Sequence, residues 1–149
     1  MDEKNTKEMS LKSTKRLRKI LLKGILIILL VCVVGIISLS LWIELSVKKV
    51  CAAATQKYPG DKVEALMMSV KTEEYGYNVH RYRVNNHAIW ALGQLGDKRA
   101  LPFLKKLATG QPCDHETNLC QGEISKAINK LETNEFNLPA FLFRGVLNY

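Results

Sequence analysis

The sequence predicts an all-α protein in two parts: one membrane-crossing helix near the N-terminus, then a small domain of short, paired helices. Three observations predict it. Twenty consecutive uncharged residues, Gly24 to Ile43, make a run long enough to cross a bilayer. Beyond Gly60, apolar side chains recur at i, i+3, i+4 and i+7 in successive segments, each closed by a break containing Gly, Asp or Pro. Strand-like alternation is absent from the domain except over Tyr75 to Val84, a polar-aromatic stretch of ambiguous type.

The apolar run reads GILIILLVCVVGIISLSLWI. At about 1.5 Å per helical residue it spans roughly 30 Å, the thickness of the hydrocarbon layer. Lipid offers no partner to backbone groups, so the run is expected to be one helix. Lys23 stands at its start and Trp42 at its far end, where snorkelling cations and belt aromatics belong. Residues 1–23 carry eight basic and three acidic side chains, and Lys12 to Lys23 includes no acid. This flank predicts a cytoplasmic N-terminus and an extracytoplasmic C-terminal part. A cleaved leader fits less well. The apolar region exceeds the usual 7–15 residues, and Ala52-Ala53-Ala54 lies too far beyond it, behind Lys48 and Lys49. The run is therefore read as an uncleaved signal anchor, with the bilayer as first partner. The expected organisation is a basic tail over 1–19, a transmembrane helix over 20–43, a juxtamembrane stalk over 44–60 and a helical domain over 61–149.

Composition limits what the domain can be. The chain has 149 residues, 47% of them hydrophobic, and a net charge of +8. Of that charge +5 lies in residues 1–23, so the remainder is only mildly basic. The pairs Lys48/Lys49, Arg81/Arg83, Lys98/Arg99 and Lys105/Lys106 have no interleaved aromatic series, so no nucleic-acid partner is expected. About 105 residues outside the leader and span leave no room for a large enzyme with a deep core.

Pro59-Gly60 is a hinge. Asp61 and Glu64 have the spacing of a capping box, opening a helix with Val63, Leu66, Met67 and Val70 on one face and fraying near Gly76. Val84 to Leu95 is the next helix, with Ala88, Leu92 and Leu95 as its face. Gly96 breaks it and Asp97 caps a helix reaching about Ala108, with Pro102 in or near its first turn. Thr109 to Pro112 ends that helix, and another runs from about Leu119 to Glu132 through Ile124, Ala127, Ile128 and Leu131. The tail, with Leu138, Phe141, Leu142, Phe143, Val146 and Leu147, is expected to be a terminal capping helix. An interfacial segment on the membrane, or a partner-binding face, is the sharper reading.

Residues 87–108, HAIWALGQLGDKRALPFLKKLA, resemble one unit of the short bacterial HEAT-like repeats, the kind also found in phycobilisome lyases. The matching positions are Ala91, Leu92, Gly93, Leu95, Gly96, Asp97, Arg99, Ala100, Pro102, Leu104 and Leu107. The resemblance implies an α-α superhelical stack of two to three irregular repeats. Asp61 to Val70 resembles part of a preceding repeat and Glu123 to Glu132, more weakly, part of a following one. Such stacks offer extended surfaces, so a non-catalytic adaptor or scaffold with a protein partner is expected. The alternatives are an enzyme or accessory resembling the chromophore-lyase branch, and a redox-responsive envelope sensor.

Candidate site residues are few. Gly96 and Asp97 form the repeat turn and cap. Cys113 and Cys120 bracket the loop CDHETNLC and form a candidate disulfide, which outside the cytoplasm would contribute about 2–3 kcal/mol. A metal site built on Cys113, His115 and Cys120 lacks zinc-like spacing, so neither metal nor cofactor is assigned. Cys32 reads as a small apolar residue of the span. A homodimer through the membrane helix, or through a disulfide between two copies of Cys51, is the remaining partner expectation. Arg81, Arg83, Trp90, Lys105 and Lys106 are candidate partner contacts. His80, His87 and His115 show no catalytic spacing, and no phosphate-loop or metalloprotease motif occurs, so no catalytic residue is named.

Overall fold

The first proline of the chain is Pro59, and nothing before it forces a helix to stop. The computed structural model describes residues 3–71, 79–112, 119–133 and 135–147, with side chains from residue 18 onward and, in the helix over 79–95, from residue 86. Its first helix, α1, runs Glu3–Lys57. All regular structure among the described residues is helical. The chain forms two compact units, residues 1–39 and residues 40–149.

In the first unit the apolar side chains from Ile20 to Leu39 are exposed. An 18-residue window of α1 has a mean hydropathy of 3.1 and is 0% buried, making α1 long and apolar enough to cross a membrane.

The second unit begins earlier than the turn at Pro59 predicts. Ser40, Glu44, Val47, Cys51 and Ala54 are all buried. Their spacing alternates four and three, the seam of a helix laid against partners. The segment 44–57, read from sequence as a stalk, thus contributes a face to the core. Tyr58, after the last turn, is partly buried against the same cluster.

The capping box forms as spaced. Asp61 Oδ1 accepts from the Val63 and Glu64 backbone N–H groups at 2.9 and 3.0 Å, and Asp61 N–H donates to Glu64 Oε2 at 3.1 Å. It opens α2, Lys62–Lys71. The third helix, α3, is Val79–Leu95, so the stretch 79–84, which alternation left ambiguous, is helical. The rest of that ambiguous stretch, 75–78, lies outside the described residues. Gly96 closes α3 at φ +73°, where a Cβ is strained. Asp97 then caps a single 3-10 turn, Lys98–Ala100, through the Arg99 backbone N–H. The 3-10 turn leads directly into α4, Leu101–Leu107, with its proline in the first turn. The fifth helix, α5, is Gln121–Thr133.

Helix α3 is central, packed against α2 and α5, and α4 packs on α5. Leu66, Ile89, Leu92, Leu104, Ile124 and Leu131, drawn from α2 to α5, are the largest fully buried apolar side chains of the core. Polar contacts hold the ends of the 109–118 insertion. Gln121 accepts from the Thr109 N–H at 2.8 Å and donates to the Leu107 carbonyl, while Asn86 accepts from the Cys120 N–H at 3.1 Å.

The tail forms a π-helical turn, Ala140–Arg144, and a last helical turn, α6, Gly145–Leu147. Leu138, Phe143 and Leu147 are half-buried, as a cap requires, but Phe141 and Val146 are 74% and 76% exposed. Polar groups carry much of the docking. Arg144 donates to the Leu95 and Gln94 carbonyls at 2.9 and 2.8 Å, at the negative end of α3, and to Glu44 Oε1 at 3.1 Å.

Candidate functional site

The less buried face of α3 carries Asn86, His87, Trp90 and Gln94, one stripe at helical spacing. Trp90 is half-buried, with part of its ring against the core cluster. Its remaining surface forms the floor of a groove in the 40–149 unit. Three adjoining hollows of about 340 to 440 Å³ make up this groove. The middle one lies between Trp42, Ser46 and Val50 of α1, Asn86, His87 and Trp90 of α3, and Glu123 of α5. Trp90 and Glu123 also line the second hollow, with Lys126, Lys130 and Glu135. Val50 and His87 also line the third, with Lys49, Lys57 and Tyr58.

The groove is apolar along its floor and charged on its walls. On the α5 wall Lys126 and Glu123 pair at 2.9 Å. Lys130 Nζ donates to Gln94 Oε1 at 2.7 Å, and burial lowers its pKa from the ordinary lysine value. On the α1 wall Lys49 and Lys57 are exposed. An apolar floor with aromatics, rimmed by charge, suits a protein segment, with Trp90 as anchor.

Beneath this face α3 and α5 meet closely. A Cβ on Gly93 would lie 2.9 Å from Ala127 Cα and 3.0 Å from Ala127 Cβ. Gly93 is required by the neighbouring helix α5, and it draws that wall against the Trp90 floor.

The other candidate positions are dispersed. Gly96 and Asp97 sit at the far end of α3. There Arg99 joins two caps: Nη2 reaches Asp97 Oδ2 at 2.7 Å and Nη1 reaches Asp61 Oδ2 at 2.6 Å. The Asp97 carboxyl is held below its ordinary range first by the Arg99 guanidinium, and that of Asp61 first by the Glu64 N–H and then by Arg99. Lys105 is paired with Glu132 at 2.5 Å, joining α4 to α5, and Lys106 is exposed. Arg81 and Arg83 lie on α3, with side chains outside the described residues. Cys113 also lies outside them, and with it the candidate Cys113–Cys120 disulfide; Cys120 itself is buried. Cys51 is 2% exposed, and burial pushes its thiol up to about 11. A disulfide between two copies of Cys51 would require the core to open.

Trp90 is legible in the sequence as a contact candidate, whereas Trp42, Val50 and Glu123 are not legible as its neighbours. No local signal marks them, because they meet only when α1, α3 and α5 pack.

Residues 86–109 match the family described as PBS lyase HEAT-like repeat. The match covers one helix–turn–helix unit, from the middle of α3 through α4. No curated protein and no solved structure matches the chain.

Proposed function

We propose that the protein is a single-pass, membrane-anchored adaptor with a cytoplasmic N-terminus. In this reading its extracytoplasmic domain is a short HEAT-like superhelical stack that binds a protein partner without catalysis. An apolar window of mean hydropathy 3.1 with none of its residues buried supports a bilayer span, since a core helix is covered on the inside. The basic cluster Lys12 to Lys23 supports the orientation. A HEAT-like repeat supports a protein-interaction or scaffold role.

It is the groove over Trp90 that carries the binding reading: an aromatic floor between three helices, with charged walls. A photo-crosslinking amino acid at position 90, in chain embedded in its native membrane, is expected to capture a protein, and Trp90→Ala is expected to abolish co-purification of that protein. Recovery of a bound pigment or other small molecule with no protein would overturn the adaptor. A reporter fused after Tyr149 that is active only in the cytoplasm would overturn the orientation.

A further inference from the structure

The C-terminal segment is amphipathic in the reverse of the usual sense. Its polar side chains point into the protein. Asn137 donates to the Gln94 carbonyl at 2.8 Å and accepts from the Ala140 N–H at 3.2 Å, capping the turn that follows. Arg144 is held by two α3 carbonyls and by Glu44. Four of its large apolar side chains point out, while Leu138, Phe143 and Leu147 are half-buried. Phe136, Phe141 and Val146 are 72%, 74% and 76% exposed, and Leu142 is exposed as well. The rings of Phe136 and Phe141 lie against each other, with centroids 5.5 Å apart, as one apolar knob. Water does not favour this arrangement, and such patches mark a covered surface.

Contacts with α1 identify what covers it. Arg144 meets Glu44, and Lys48 Nζ donates to the Leu147 carbonyl at 2.8 Å. Glu44 directly follows Ile43, the last residue of the apolar run, and Lys48 is four residues further. At 1.5 Å per residue both lie within about 8 Å of the end of the run. From Arg144 to Leu147 the tail ascends α1 from Glu44 to Lys48. Both contacts thus fall within the headgroup layer, which adds about 5–8 Å to each side of the hydrocarbon core.

We propose that residues 136–147 are a membrane foot: Phe136, Phe141, Leu142 and Val146 insert into the lipid interface beside α1. They hold the domain against the bilayer surface at a second point. The occupant is lipid, since Arg144 and Leu147 tie this segment to α1 within five residues of the end of the apolar run, and Lys49, exposed one residue beyond Lys48, adds a cation for headgroup phosphates. This inference rests on the reading of α1 as a membrane span.

The test uses the full chain reconstituted in phosphatidylcholine and phosphatidylglycerol vesicles. Trp42→Phe and Trp90→Phe remove the native tryptophans, and Phe141→Trp or Val146→Trp places a single reporter at an exposed position. Each reporter is expected to emit as in an apolar medium, to be quenched by lipid brominated near the headgroup end of its chains, and to be shielded from aqueous iodide. Water-exposed emission, or apolar emission that brominated lipid leaves unquenched, overturns the foot when the protein survives carbonate washing of the vesicles. The second of these outcomes would assign the patch to a second copy or another protein. Loss of the protein from the vesicles on carbonate washing overturns the span itself, and the foot with it.

Discussion

Arg99 is the residue through which two local signals become one tertiary contact. Asp61 and Asp97 are each legible as helix caps, because a cap is specified within four residues of chain. Their connection is not legible, since the Arg99 guanidinium reaches back 38 residues to Asp61. Both carboxyls titrate below their ordinary value in the folded chain. An unfolded aspartate titrates near 3.9. The stabilisation they supply is therefore present above about pH 4 and lost as pH falls through the lower folded values. Arg99→Ala is expected to raise the folded titration point of Asp97 more than that of Asp61, because Arg99 is the first cause at Asp97 and the second at Asp61. Carboxyl carbon NMR titration of the two aspartates checks this. The same variant should show a smaller loss of stability below pH 4 than the parent. The salt bridge itself is exposed, so the effect near neutrality should be small.

At the scale of helices, the contact between α3 and α5 decides the sign of a common substitution. Replacing a mid-helix glycine by alanine ordinarily stabilises by about 0.5–1 kcal/mol. At position 93 the new methyl would press on Ala127 backbone and side chain at 2.9 and 3.0 Å. Overpacking of that kind costs about 1–3 kcal/mol. Gly93→Ala is thus expected to be a net loss, on the order of 1 kcal/mol, read as a lower midpoint in denaturant. Ala127→Gly in the same chain removes the Cβ contact and should recover part of the loss. An unchanged or raised midpoint for Gly93→Ala alone would reject the close approach. Helix existence is readable here because Ala88, Leu92 and Leu95 in α3, and Ile124, Ala127 and Leu131 in α5, repeat at helical spacing. The start of α3 is not, because HRYRV alternates charge with aromatic and β-branched residues while the chain is helical from Val79.

For the whole molecule, the most consequential difference between sequence and structure is where the domain begins. Glu44, Lys48 and Lys49 make the segment after the apolar run look solvated, and the proline-glycine hinge invites a boundary at residue 61. Glu44 is nevertheless 0% exposed, because Arg144, 100 residues away, neutralises it, and no local pattern announces such a pair. Without α1 the domain would lose Val47, Cys51 and Ala54 from its core cluster, together with Glu44, which anchors the tail. Each large apolar side chain uncovered in that way forfeits about 1.5–3 kcal/mol, a large share of the stability of a domain this small. A chain beginning at residue 40 is therefore expected to unfold cooperatively in mild detergent. A chain beginning at residue 61 should be helical in part but melt without a sharp transition. Comparable sharp thermal transitions for the two would return residues 44–57 to the role of a free stalk. A cooperative transition confined to the longer chain would make the C-terminal end of α1 an integral wall of the groove over Trp90, so that the long apolar helix and the groove share one continuous element.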